Sequence, residues 1–162
     1  MPTPLRVAIL TISDSVSQGK YEDRSGPSVA QACLAHQWQV ASASVLPDER
    51  PHIEERLRGL ADSGSFDLIL TTGGTGLGPR DVTPEATAAI CDKLIPGLAE
   101  EMRRKGLEST PRAVLSRCLA GVRGTTLIVN LPGSPKGAAE SLAAIAALLP
   151  HASQIVHGAR HE

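Results

Sequence analysis

Four glycines fall within six residues, at Gly73, Gly74, Gly76 and Gly78, directly after the apolar run Asp67–Thr72. Glycine tolerates positive φ and lets backbone N–H groups approach an anion closely, so this segment reads as a phosphate cradle. Arg80 follows, where a guanidinium could clamp an oxyanion, and a helix start at Thr83-Pro84 adds the positive end of a helix dipole. Asp81 in that setting would repel a phosphate unless a cation lies between them. Mg2+, held by one or two carboxylates together with substrate phosphates, removes the conflict. Asp48, expected at the adjacent strand end, is the natural second carboxylate. A second turn, Asn130-Leu131-Pro132-Gly133-Ser134-Pro135, offers backbone donors and the Asn130 amide to a second anionic or heterocyclic ligand. Plainer readings stand beside these: a tight glycine turn with Asp81 capping a helix, and an ordinary strand-to-helix turn at Asn130. Asp23-Arg24-Ser25-Gly26-Pro27 reads as a turn and helix cap.

Familiar phosphate loops do not fit. A P-loop needs G-x-x-x-x-G-K-[ST], and no lysine lies between Lys20 and Lys93. The dinucleotide fingerprint G-x-G-x-x-G fails because its third glycine would be Pro79 or Asp81. The histidines His36, His52, His151, His157 and His161 are scattered without metal-binding spacing, which argues against zinc chemistry. No nucleophile–base arrangement stands out. A phosphate monoester needs neither to act as a nucleophile, since it is already anionic at neutral pH.

The elements that must position these residues alternate between short apolar runs and helical patterns. Arg6–Ile12, Asp67–Thr72 and Thr125–Leu131 are β-branched runs of the kind buried on both faces of a parallel sheet. Val40–Leu46 is smaller and half polar, as befits a strand near an edge. Helices are expected from Pro27, after Pro51 as far as Gly64, and at three hydroxyl-proline starts: Thr83-Pro84, Thr110-Pro111 and Ser134-Pro135. The last carries Ala139, Leu142, Ala143, Ile145, Ala146 and Leu149 on a mostly apolar helix. The pattern predicts an α/β fold with a mostly parallel sheet between helical layers, with every strand delivering a polar or glycine-rich turn to one edge. The tail from Gly158 to Glu162 is expected to fray.

Composition sets the outer bounds. At 162 residues the chain is expected to form one domain over its whole length, at about 150 residues per domain. Its net charge of −1 carries no electrostatic footprint for nucleic acid, and Tyr21, Trp38 and Phe66 alone make no platform for stacked bases. No apolar run in the sequence reaches the ~20 residues of a membrane span, and no secretory leader is recognisable, so a cytoplasmic protein without membrane partners is expected. Cys33, Cys91 and Cys118 are odd in number, far apart and in apolar helical contexts, so they read as small core residues.

The string Thr71-Thr72-Gly73-Gly74-Thr75-Gly76, followed by Pro79-Arg80-Asp81-Val82-Thr83-Pro84-Glu85-Ala86-Thr87, resembles the signature of the molybdopterin adenylyltransferases. These are molybdenum-cofactor biosynthesis proteins that include the G domain of gephyrin. The likeness continues in order through Ser13-Asp14, Asp23-x-Ser25-Gly26-Pro27, Pro47-Asp48-Glu49, Ser116-Arg117, Asn130–Gly137 and Leu149-Pro150-His151. It implies a three-layer α/β/α sandwich assembled as a homotrimer. It also implies Mg2+-dependent transfer of AMP from ATP to the terminal phosphate of molybdopterin, with hand-over of the product to a molybdenum-insertion protein. By the same resemblance Asp48 and Asp81 are the catalytic, metal-binding pair. Ser13, Asp14, Thr72, Gly73, Gly74, Thr75, Gly76, Arg80, Ser116, Asn130, Pro132, Gly133 and Ser134 would bind nucleotide or pterin. Two other readings remain. One is a non-catalytic trimeric molybdopterin carrier or scaffold, to which two carboxylates beside phosphates bring no advantage. The other is a generic nucleotide-binding domain, which leaves the second turn at Asn130 without a use.

Overall fold

The computed structural model describes residues 3–159. In chain order the elements are β1 (Arg6–Ile12), α1 (Asp14–Ser17), α2 (Ser25–Ala35), β2 (Gln39–Leu46), α3 (Arg50–Asp62), β3 (Leu68–Thr72) and α4 (Thr83–Ile90). There follow β4 (Lys93–Leu94), α5 (Pro96–Gly106), β5 (Ala120–Arg123), β6 (Thr126–Leu131), α6 (Pro135–Ile145) and α7 (Leu149–Val156). Short 3-10 turns occupy Pro111–Leu115 and Ala146–Leu148.

Alternation along the buried strands creates two cores. Val7, Ile9, Leu68, Leu70, Leu127 and Val129 face Val29 and Cys33 of α2, Met102 of α5, Leu142 and Ile145 of α6 and Leu149 of α7. Ala8, Leu10, Ile12, Ile69 and Ile128 face Ile53 and Leu57 of α3 and Ala86 and Ile90 of α4. Such strands cannot leave either face in water, because each buried Leu or Ile contributes about 1.5–3 kcal/mol only when covered. The outcome is the expected helix–sheet–helix sandwich. The sheet order is β2-β1-β3-β6-β5-β4, with the first four strands parallel and β5 and β4 each antiparallel to its neighbour. β2 is an edge strand, as its half-polar sequence suggested.

The chain leaves β1 outward to β2, then returns past β1 to β3. The crevice beyond Ile12 and Thr72 is therefore the point where crossovers diverge, the place where open parallel sheets bind ligands.

Several local expectations change. Ser134 caps α6, its hydroxyl accepting from Gly137 N–H at 3.0 Å. Thr110 accepts from Arg112 N–H at 3.2 Å, but the segment it starts is only a 3-10 turn. Thr83 does not cap α4; it is the first helical residue and its hydroxyl donates to Gly73 O at 3.1 Å. Cys33 and Cys118 are buried, but Cys118 precedes β5 and Cys91 ends α4, so neither Cys118 nor Cys91 lies within a helix. Burial pushes the Cys33 thiol up to about 12 and the Cys91 thiol up to about 11, which keeps both protonated at neutral pH. At the start of the tail, the N–H groups of Gly158 and Ala159 donate to Ile155 O and Gln154 O at 2.9 Å. The rest of that tail lies outside the described residues. The run Pro135–Val156 is 22 residues long with mean hydropathy 1.2, enough by length and composition for a membrane span. Leu142, Ile145 and Leu149 instead pack into the first core, as in a core helix.

Candidate active site

The glycine segment crosses the crevice between the ends of β1 and β3. Gly73 has φ +103° and Gly74 φ +69°, a region that side chains disfavour. A Cβ on Gly73 would strike the carbonyl oxygen of Ile12. One on Gly74 would strike Thr83 Oγ1 and stand 2.9 Å from Asp48 Oδ1. The loop is tied to the second turn as well: Thr72 Oγ1 donates to Pro132 O at 2.6 Å and Gly73 N–H to Leu131 O at 3.2 Å. Glycine is thus demanded by close approach as well as by backbone angle.

Asp48 follows β2, which is separated from β3 by β1, so the two carboxylates are not at adjacent strand ends. Both nevertheless line the same crevice, because the glycine loop passes over the end of β1. Asp48 and Asp14 exchange a pair of bonds: Asp14 N–H donates to Asp48 Oδ2 and Asp48 N–H to Asp14 Oδ1, both at 2.9 Å. The remaining oxygen, Asp48 Oδ1, is buried with no hydrogen-bond partner among the described residues. Burial pushes this carboxyl up. The bond from Asp14 N–H and the charge of Arg80 pull against that, while the charges of Asp14 and Asp81 add to it. An orphaned, desolvated carboxylate oxygen is expensive unless a cation satisfies it.

Asp81 does not cap α4, whose N-cap is Val82. It closes its own turn: Gly78 N–H donates to Asp81 Oδ2 at 2.9 Å and Asp81 N–H to Gly78 O at 3.0 Å. A Cβ on Gly76 or Gly78 would lie 3.0 or 2.9 Å from that same Oδ2, so both glycines make room for the carboxylate.

Two clefts open around this frame. One, of about 590 Å3, runs along the crevice past Ser13, Asp48, Thr72 and Gly73. The other, of about 630 Å3, is bounded by Thr75, Gly76, Ser116, Pro132 and Ser134 with Met102, Ala113 and Leu115. Gly74, Asp81 and Gly133 belong to the walls of both.

Three expected ligand contacts are placed elsewhere. Arg80 does not face either cleft: Nε and Nη2 hold the two oxygens of Asp14 at 3.0 and 3.1 Å, and Nη2 also reaches Glu49 at 2.8 Å. Opposite charge at hand holds the guanidinium there. Asp14 is held well below the usual carboxylate range by Arg80 and then by Asp48 N–H, and it too lines neither cleft. Asn130 is fully buried. Its amide donates to Thr71 Oγ1 and Thr87 Oγ1 at 3.0 Å and its carbonyl accepts from Leu119 N–H at 3.3 Å, so it braces α4 on the sheet, with both N–H donors engaged and no exposed surface.

Three arginines that the sequence reading gave no role stand around the second cleft. Arg103 and Arg112 lie on its wall. Arg117 pins the glycine loop by donating to Gly76 O at 2.8 Å and Asp81 O at 2.9 Å, while Nη1 pairs with Glu85 at 2.6 Å. That pairing pulls the Glu85 carboxyl below its usual range. Arg103 rides on α5, whose signal was the stripe Leu98, Ala99 and Met102. Among the described residues no cluster of three or more His, Cys, Asp or Glu side chains gathers to hold a metal. A cation here would therefore complete its shell with substrate oxygens, as Mg2+ commonly does.

Comparison with known proteins agrees with this geometry. A family model described as a probable molybdopterin binding domain matches residues 8–151. A molybdopterin adenylyltransferase of Helicobacter pylori is 39% identical over 95% of this chain and 89% of that protein. The molybdopterin adenylyltransferase of Escherichia coli K12 is 42% identical over 85% of this chain and 72% of that protein. The crystal structure of the molybdopterin biosynthesis enzyme MoaB from Thermus thermophilus superposes with a TM-score of 0.90 at 51% identity, covering 98% of this chain and 99% of that one. By sequence and by fold, the chain belongs to the molybdopterin-binding family of molybdenum-cofactor biosynthesis proteins.

Proposed function

We propose that this protein is a molybdopterin adenylyltransferase, moving AMP from ATP to the terminal phosphate of molybdopterin and releasing pyrophosphate. The observation that carries the reading is the pair of clefts meeting at Gly74, Asp81 and Gly133. Two substrates held one in each cleft would meet at that shared wall. A pterin phosphate oxygen forms the new bond to the α-phosphorus, and the bond from that phosphorus to the bridging oxygen of pyrophosphate breaks. The protein's part is positioning and charge neutralisation. Backbone N–H groups of the glycine loop approach the phosphates, while Arg103 and Arg112 supply positive charge along the second cleft.

Mg2+ is part of the proposal. The donor set fits it: Asp48 Oδ1 is buried and unpartnered among the described residues, and Asp81 faces both clefts. Asp48 and Asp81 would hold the ion, which when bound offsets the charge of the phosphates. A homotrimer is supported by the resemblance and by the final helical run, of which only 33% of the most apolar stretch is buried within one chain. Hand-over to a molybdenum-insertion protein and a cytoplasmic site of action are proposed on the resemblance.

The test is pyrophosphate release from ATP and Mg2+ with and without molybdopterin, with Asp81→Asn alongside. Release by the wild type that depends on molybdopterin, and its loss in the variant, supports the transfer reading. Molybdopterin retained by both proteins without release makes the protein a carrier or scaffold.

A further inference from the structure

Arg80 is the residue whose observed contacts depart furthest from its expected role. Its guanidinium grips both oxygens of Asp14, and Asp14 in turn exchanges two bonds with Asp48. The chain of contacts ends at Asp48 Oδ1, the buried oxygen left open beside Gly74. With Oδ2 engaged by Asp14 N–H, the Asp48 carboxylate has one orientation in which Oδ1 stays turned toward the glycine loop. The Asp14 carboxylate, which Arg80 fixes, accepts from Asp48 N–H and so holds the backbone from which the Asp48 carboxylate projects toward the Asp14 N–H. A planar fork fixes the Asp14 carboxylate in two directions, where a lysine would offer a single point charge.

We propose that Arg80 is a positioning residue, acting through Asp14 to aim Asp48 Oδ1 at a divalent cation. This rests on the reading of Asp48 as a metal-binding carboxylate. It differs from a phosphate clamp, in which Arg80 would touch the nucleotide directly. It differs also from simple charge balance. Removing a balancing cation would leave Asp14, Asp48 and Glu49 unopposed and would tighten divalent binding. Removing an aiming device would weaken it.

The signs are therefore opposite, and Mn2+ binding measured by electron paramagnetic resonance in the presence of ATP reads them without turnover. Outer partners of metal ligands typically contribute about 10–100-fold in affinity. Arg80→Ala and Asp14→Ala are each expected to weaken Mn2+ by about that factor, and the double variant by no more than either alone, because both act along one chain. Arg80→Lys, which keeps the charge and loses the fork, is expected to recover only part. Arg80 is about half exposed, so melting temperatures should stay within a few degrees of wild type and separate aiming from folding. ATP binding in EDTA should change by no more than about twofold, since neither residue lines either cleft.

Tighter or unchanged Mn2+ binding in Arg80→Ala overturns the proposal. So does a loss of metal-free ATP affinity in Arg80→Ala that Asp14→Ala does not share. Asp48→Asn separates the underlying reading: if it binds Mn2+ as wild type does, Asp48 is not a ligand. In that event a crystal structure of metal-free Arg80→Ala still decides the aiming. Loss of the Asp14 N–H to Asp48 Oδ2 bond supports it, and an unchanged Asp48 rotamer refutes it.

Discussion

Replacing Gly73 with alanine adds one methyl group where the ends of β1 and β3 come closest. Two costs combine. Gly73 sits at φ +103°, and a side chain in positive-φ backbone costs about 1–3 kcal/mol. The new Cβ would also strike the Ile12 carbonyl oxygen, a backbone atom at the end of a buried strand that cannot swing aside. Forcing atoms into packed structure costs about 1–3 kcal/mol more. The sum is about 2–6 kcal/mol, which in a domain of this size lowers the melting temperature by about 4–24 °C. Gly64→Ala isolates the first cost, since Gly64 has φ +73° and nothing within 4 Å of its would-be Cβ. Gly97→Ala is the neutral reference, with open space and no positive φ. Thermal melts of the three variants should rank Gly97→Ala near wild type, Gly64→Ala intermediate and Gly73→Ala lowest. A Gly73→Ala protein that melts no lower than Gly64→Ala would refute the close-approach reasoning.

Other expectations follow from the same structure. Asn130→Ala should lower stability by about 2–3 kcal/mol in urea melts, since it deprives Thr71, Thr87 and Leu119 N–H of their partner, yet leave substrate KM values within about twofold. A selective rise in one KM at unchanged stability would return Asn130 to the site. Ser134→Ala removes the α6 cap and should cost about 1 kcal/mol in the same assay. Arg117→Ala unpins the glycine loop, and kcat/KM should fall about 100-fold, the scale set by ~1 Å misplacement, with a far smaller effect on melting. Asp67 accepts three bonds from Arg6; burial pushes its carboxyl up, but Arg6 outweighs this and holds it below the usual range. A depressed folded value stabilises above the unfolded pKa of ~3.9 and is lost as pH falls through the folded one. Asp67→Asn should therefore cost about 1 kcal/mol at pH 7, discounted for the half-exposed Arg6, and the gap to wild type should narrow as pH falls below the unfolded pKa of ~3.9.

What the residues reveal unaided depends on how local their physics is. The strands β1, β3 and β6 are legible because burial on both faces leaves a continuous apolar run, and the glycine loop because its composition admits few conformations. β4 has two residues and β5 is Ala-Gly-Val-Arg, too short and too small to carry a strand signal; β5 forms on the edge that β6 offers and β4 on the edge of β5. α5 buries only Leu98, Ala99 and Met102 amid charged neighbours, so its stripe is thin. Among site residues, Asp48 and Asp81 were legible as carboxylates set beside the glycine loop, and both line the crevice. The contacts of Arg80 were not legible because its partners, Asp14 at the start of α1 and Glu49 before α3, lie 66 and 31 residues away, which spacing does not report. Asn130 failed for a related reason: at the end of a strand a side chain can face the ligand edge or the helix behind it. The buried hydroxyls of Thr71 and Thr87 decide for the helix.

The most direct measurement uses ATP labelled at the α-phosphate, incubated with Mg2+, molybdopterin and the intact protein, followed by separation of the products. Adenylyl transfer places the label on molybdopterin in a one-to-one ratio with released pyrophosphate, and Asp48→Asn and Asp81→Asn abolish both. Label that remains in ATP, or leaves as free AMP in amounts independent of molybdopterin, would contradict a site in which the two clefts bring their ligands together at Asp81.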